Sequence, residues 1–150
     1  MKLGKNKCFG GKTVLVATLL ALFACAPAPR QTLNEGTVNR FVAAFNRHDT
    51  TAMLAETTED IIWYSVDGES QQIETQGQQQ LQQTMNRYFN SLPSAQSSLL
   101  EMSSSGDFVS SIEKAQWQSK EKLQAQCAVA VYQLNDKKIR RVWYFPPTQC

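Results

Sequence analysis

The sequence predicts an α+β domain in which helices come first and a curved antiparallel sheet follows. Apolar side chains recur at helical spacing within 34–48 and 76–92. From Ser97 onward, turn residues recur at regular intervals between long strand-like segments. Helices followed by a run of strands are typical of a sheet with helices packed on one face.

The first half of the domain predicts two helices and two short strands. Apolar positions in 34–48 form one stripe, at Val38, Phe41, Val42 and Phe45. Asp49 is suited to cap a second short helix over 50–56, because its carboxylate can accept from free backbone N–H groups. Strands over 60–66 and 71–75 follow, separated by a turn at 67–68.

The second half predicts one more helix and then a meander. The helix over 76–92 keeps apolar residues on one face, exposes its glutamines and ends at Pro93. Strands are then expected over 97–105, 108–117, 123–134 and 138–145, with turns between them.

The N-terminus resembles the leader of a bacterial lipoprotein. Basic residues precede an apolar run over 13–24, and Cys25 follows. The run is too short to span a bilayer as a permanent helix. We expect a signal peptide at 1–24, a lipid (palmitate among its acyl chains) on Cys25 with a tether at 25–33, and one domain at 34–150. Phe23 is bulky for its position, which leaves ordinary signal-peptidase cleavage open.

The same resemblance implies that the protein is located in the cell envelope. Inner-membrane lipoproteins usually carry an aspartate after the lipidated cysteine, and this chain has Ala26. We therefore expect anchoring to the outer membrane, facing the periplasm.

Charge argues against a nucleic-acid partner. Removing residues 1–24 takes away four lysines and no acid, which leaves 11 basic against 13 acidic residues. A net negative domain lacks the electrostatic footprint of a nucleic-acid-binding protein. The basic cluster at 137–141 is either a solvated strand edge or a patch for anionic lipid headgroups.

Cysteine usage allows one disulfide and predicts no metal site. With Cys25 lipidated, Cys127 and Cys150 remain as an even pair in an oxidising compartment. They either form a disulfide that joins the predicted hairpin to the C-terminus, or Cys127 is buried and Cys150 is free. No Cys/His pair has metal-ligand spacing, and no cofactor is expected.

The element order resembles the nuclear transport factor 2-like superfamily, which includes ketosteroid isomerases and SnoaL-like polyketide cyclases. The matching segments are 38–49, 59–63 and 138–145, with Gly77 opening the third helix. The resemblance implies a cone-shaped, mixed sheet with about three N-terminal helices on its concave face. It also implies an apolar pocket and a homodimer through the outer face of the sheet.

The resemblance excludes the ketosteroid isomerase reaction. That chemistry needs a carboxylate base and an oxyanion hole made by a tyrosine and a protonated aspartic acid. The corresponding positions here are Phe41 for the tyrosine, Ser65 for the base and, more loosely, Ala130 for the acid. None of these groups can perform the step, so no catalytic residue is assigned.

Another acid/base pair in the same cone remains an alternative. Asp60 and Glu74 are the candidates, although Asp60 is equally an exposed acid at a strand start. His48 fits a surface or capping role. Glu56, Glu101 and Glu113 have no partner that the sequence identifies.

Aromatic residues favour a ligand pocket over a catalytic site. In the family register, the inward-facing positions are Phe41, Phe45, Trp63, Ser65, Ala130, Tyr132 and Trp143. These side chains either line a pocket for an apolar ligand or fill the cone as core. The facing of Trp117 and Tyr144 is left open.

These observations lead to three functional expectations. The first is a non-catalytic binding or accessory module of the envelope, for a small apolar ligand or a protein partner. The alternative is a SnoaL-like lyase, hydratase or cyclase acting on a cyclic or polyketide-like substrate. The third is a structural envelope protein.

Overall fold

The structure, a computed structural model, describes residues 30–150 and the side chains from Leu33 onward. The leader, Cys25, Ala26 and the start of the tether lie outside the described residues. In chain order, the elements are α1 (Arg30–Asn46), α2 (Thr50–Ala55), β1 (Thr57–Asp67), β2 (Ser70–Gln76), α3 (Gln78–Ser91), β3 (Gln96–Ser105), β4 (Phe108–Ser119), β5 (Lys122–Asn135) and β6 (Lys138–Tyr144).

The six strands form one mixed sheet in the order β2-β1-β6-β5-β4-β3. Strands β1 and β6 are parallel, and every other neighbouring pair is antiparallel. The predicted α+β class, with a curved mixed sheet and a few N-terminal helices, is confirmed.

Helix α1 begins earlier than the sequence predicts. It starts at Arg30, so residues 30–33 are helical although the sequence places them in the tether. This first turn precedes the apolar stripe and therefore carries no periodic signal. Strand β1 is also longer than expected, because Thr57 pairs with Ile139 before the predicted start.

Hydrogen bonds hold α1 across the sheet at both of its ends. Near its start, Asn34 Nδ2 donates to the Gly106 carbonyl at 3.1 Å. At its end, the Asn46 side chain donates to the Ser97 carbonyl at 2.8 Å and accepts from the Ser97 N–H at 2.7 Å. The buried stripe of α1 is thereby fixed over the inner face of β3 and β4.

A glycine positions the start of α3. Gly77 has φ +80°, a conformation that L residues rarely adopt, and its N–H donates to the Ile61 carbonyl at 2.7 Å. The bond ties the helix start to β1, and Leu81 and Phe89 then pack into the core shared with α1.

Candidate functional site

A cavity of about 340 Å³ lies between the helices and the inner face of the sheet. Its floor is formed by β3, β4, β5 and β6, and its walls by α1, β1, α3 and the C-terminal residues. The lining comprises Phe41, Val42, Phe45, Trp63, Ser65, Val66, Met85, Tyr88, Ser97, Glu113, Ala115, Gln126, Ala128, Tyr144, Phe145, Pro146 and Pro147. The cone is therefore not completely filled by its own side chains.

Aromatic rings make up much of the wall. Trp63 stacks on Tyr144 with ring centroids 5.1 Å apart and planes 11° apart. Phe41 tilts against Trp63 at 6.1 Å, and Phe45 contacts Tyr88 at 5.8 Å. Such a surface gives a ligand apolar contact together with aromatic faces.

Glu113 is the charged side chain of this lining. It lies in the middle of β4, whose alternation turns Val109, Ser111 and Glu113 toward the core and leaves Ile112 on the outer face. Only 3% of Glu113 is exposed. Burial of an acid at this depth requires compensating hydrogen bonds.

Four hydroxyl groups surround the Glu113 carboxylate. Tyr132 and Tyr144 donate hydrogen bonds to Oε1 and Oε2, respectively. Ser111 adds a bond to Oε1 at 3.0 Å, and Ser97 adds a longer one to Oε2 at 3.4 Å. Both oxygens are thus held by neutral donors.

Both tyrosines remain protonated over a wide pH range. Burial raises the pKa of Tyr132 well above its ordinary value, and the negative charge of Glu113 raises that pKa further. Burial and Glu113 raise the pKa of Tyr144 in the same way. Their hydroxyls therefore act as hydrogen-bond donors to the carboxylate at neutral pH.

A C-terminal strap, residues 145–150, closes one side of the cavity. Cys127 and Cys150 form a disulfide across 23 residues, with Cα atoms 5.0 Å apart. Cys127 and Thr148 exchange two backbone hydrogen bonds at 2.9 and 2.7 Å, and the Phe145 N–H donates to the Val129 carbonyl. These bonds hold Phe145, Pro146 and Pro147 in the lining.

The structure brings four of the seven predicted pocket residues to the cavity: Phe41, Phe45, Trp63 and Ser65. Ala130 and Tyr132 face inward but are fully buried in the core and do not reach the cavity surface. Tyr132 instead donates a hydrogen bond to Glu113 Oε1 from within the core.

The inward placement of Trp143 is wrong. Trp143 lies on the outer face, where it stacks on Tyr64 at 5.5 Å and donates to Gln71. The cause is an irregularity in β6. Ile139 pairs with Leu134 and Arg141 pairs with Gln133, so β6 has one more residue than β5 at this point. The additional residue inverts the alternation, so Val142 and Tyr144 face inward.

The two candidate acid/base residues do not enter the cavity. Asp60 is exposed on β1 and forms an ion pair with Arg140 at 3.0 Å. Glu74 on β2 is exposed and accepts from Ser65 at 2.6 Å, so it reaches the cavity only through that hydroxyl. His48 stacks on Phe89 and bonds to the Ala95 carbonyl, away from the lining.

Sequence reasoning missed Glu113 and Tyr144 as site residues. One signal for Glu113 was present, since it follows Val109 and Ser111 at every second position of a central strand. Tyr144 had no such signal, because its facing depends on the irregularity in β6.

Among residues 30–150, no cluster of three or more His, Cys, Asp or Glu could hold a metal ion. The same part of the chain contains no helix with the length and hydropathy needed to cross a bilayer.

The profile of the SnoaL-like domain matches residues 38–142, from the apolar stripe of α1 to the last inward valine of β6. The chain belongs to the SnoaL-like domain family. No curated protein matches this sequence.

Solved structures share the SnoaL-like fold at low sequence identity. An uncharacterised cystatin-fold protein from Novosphingobium aromaticivorans has a TM-score of 0.66 and 20% identity, covering 75% of this chain and 97% of its own. A Jannaschia sp. CCS1 protein proposed to be a SnoaL-like polyketide cyclase has a TM-score of 0.67 and 15% identity, covering 79% and 88%. An M. tuberculosis LEH-like epoxide hydrolase has a TM-score of 0.64 and 15% identity, covering 78% and 84%.

Proposed function

We propose that this SnoaL-like domain binds a small, largely apolar molecule in the cavity between its helices and its sheet. One observation carries the proposal: a cavity of about 340 Å³ with aromatic walls contains a single buried carboxylate and its hydroxyl partners. Cavities of this size and character are typical of small-molecule sites, in which a few polar groups orient the ligand.

The polar groups are well placed to orient a ligand. Tyr144 and Ser97 both line the cavity and both donate to Glu113 Oε2. Each hydroxyl oxygen keeps lone pairs that can accept a hydrogen bond from a bound molecule. The ligand that fits is apolar over most of its surface and carries a hydrogen-bond donor at one end.

Native mass spectrometry of the protein, purified from cells that express the full chain, tests the proposal. We expect an additional mass that dissociates from the wild-type protein on denaturation. Ala128→Leu, which reduces the cavity, should lower the occupied fraction. Val129→Leu is the matched control, because Val129 is on the outer face of the same strand. Equal loss in both variants, or no bound mass together with no uptake of added aromatic compounds, would contradict binding.

A second candidate function is proton-transfer catalysis of the lyase, hydratase or cyclase type. Glu113 favours it, because an ionisable group in an apolar cavity can serve as a general base. The hydroxyls argue against it, since they occupy the lone pairs with which the carboxylate would take a proton. Incubating the identified ligand with the protein separates the two functions: a catalyst changes the ligand's structure and loses that activity in Glu113→Gln, whereas a binder returns the ligand unchanged.

The cellular setting stays a prediction of the sequence. Lipidation of Cys25, anchoring to the outer membrane and a homodimer through the sheet's outer face belong to this proposal. Metabolic labelling with a palmitate analogue, compared between wild type and Cys25→Ala, tests the anchor.

A further inference from the structure

Glu113 places a negative charge in the cavity that nothing in the described lining balances. The four groups that hold its carboxylate are neutral hydroxyls. The cavity lining contains no Lys, Arg or His. The ion pairs seen among the described side chains join Arg40 to Glu56 and Arg140 to Asp60, and neither involves Glu113.

Four hydroxyls lie within hydrogen-bond distance of the two Glu113 oxygens, which is as many donors as an ionised carboxylate can accept. An ionised carboxylate only accepts, whereas a protonated acid must donate from one oxygen. Each Glu113 oxygen is contacted by two hydroxyls, one from a tyrosine and one from a serine.

One of the four hydrogen bonds is weak and lies at the surface of the cavity. Ser97 Oγ lies 3.4 Å from Oε2, near the outer limit for a hydrogen bond, and Ser97 lines the cavity. A stronger donor entering the cavity can displace this hydroxyl from Oε2. The three remaining bonds would still hold the carboxylate in place.

The walls around this position suit a positive charge. Aromatic faces attract cations through the ring quadrupole, and the attraction is larger where water is excluded. Trp63 and Tyr144 stack beside the carboxylate, and Phe41 and Phe45 lie opposite on α1. A neutral ligand can gain a hydrogen bond from this carboxylate but no charge pairing, and an anion is repelled by it.

We propose that the cavity selects an apolar amine, whose ammonium group pairs with Glu113 beside Tyr144 while its hydrocarbon part lies against the aromatic walls. This inference rests on the proposed binding function and specifies its ligand class. It requires no residue outside the described lining.

Three probes of one shape test the ligand class: 2-naphthylmethylamine, 2-naphthylmethanol and 2-naphthoic acid. Titration calorimetry at neutral pH uses protein purified from cells expressing the full chain. We expect the amine to bind at least tenfold more tightly than the alcohol and the acid to bind most weakly. In Glu113→Gln the preference for the amine should disappear. Glu101→Gln, at an exposed acid on the outer side of β3, should retain it.

The outcomes separate this inference from the proposed function. Equal or tighter binding of the alcohol would overturn the amine preference and leave small-molecule binding in place. Failure of all three probes to bind would overturn the amine preference and, where the purified protein also retains no bound mass, the proposed binding function as well. The wild-type comparison needs no variant, so it decides the ligand class even if Glu113→Gln does not fold.

Discussion

Glu113 and Asp60 lie in the same sheet, but their negative charges are stabilised in different ways. Glu113 is 3% exposed and is held by neutral hydroxyls. The Asp60 side chain is 60% exposed and is paired with Arg140. Solvent and a cation balance the charge of Asp60, whereas the charge of Glu113 is stabilised by dipoles and remains available to the cavity. Only the buried acid can therefore influence what binds.

Removing the two carboxylates should produce the largest difference. Glu113→Ala leaves Tyr132, Ser111 and Tyr144 without their acceptor, and each buried unsatisfied group costs about 1–3 kcal/mol. We expect the free energy of unfolding to fall by roughly 4 kcal/mol in urea titrations. Asp60→Ala should leave the urea midpoint within error of wild type. Similar losses in both variants would remove the distinction between the two acids.

The C-terminal strap should matter next, because it closes the cavity beside Glu113 and lies away from Asp60. Replacing both cysteines, with Cys127→Ser and Cys150→Ser, releases a 23-residue loop, for which chain entropy predicts a loss of about 3 kcal/mol. Retention of the bound mass should fall as well. Thermal unfolding with and without reductant checks this, since reductant should destabilise the wild type and leave the double variant unchanged.

The hydroxyl partners of Glu113 can be tested one at a time. Tyr132→Phe removes one hydrogen bond to a charged acceptor and should lower the free energy of unfolding by about 2 kcal/mol. The matched control is Tyr64→Phe on the outer face, where Tyr64 stacks on Trp143. The control should stay near wild type, and a Tyr132→Phe protein as stable as the control would show that Glu113 does not depend on this phenol.

Alkaline pH should lower the free energy of unfolding through the two buried tyrosines, by less than the substitutions above. The pKa of Tyr132 and of Tyr144 is raised in the folded state, so the unfolded chain loses these protons first, at about pH 10. Stability is therefore complete below that pH and should fall as pH rises above it. Urea titrations at pH 8, 10 and 11 should show a shallower decline for Tyr132→Phe than for wild type. Equal slopes would contradict the assignment.

The fold was accessible from the sequence because its signals are local. The Val38–Phe45 stripe, Asp49 as a cap, Pro93 and the turns of the meander each indicate an element without knowledge of its neighbours. The predicted elements therefore agree with the structure except at some of their ends.

The site was less accessible because it depends on strand facing. One additional residue near Arg140 exchanges Trp143 for Tyr144 on the inner face, and no residue type marks that irregularity. The hydroxyl partners of Glu113 come from four different strands, β3 to β6, so they can be identified only when the strand register is known. Asp60 was a candidate because it begins a predicted strand, and that position does not determine whether a side chain is buried.

A crystal structure of the protein, purified from cells expressing the full chain and grown with 2-naphthylmethylamine, tests the central claim most directly. We expect the naphthyl ring against the aromatic wall formed by Phe41, Phe45 and Trp63, with its nitrogen within 3.2 Å of Glu113 Oε2. A cavity collapsed onto its own side chains, or a ring seated there with its nitrogen pointing away from Glu113, would contradict the account.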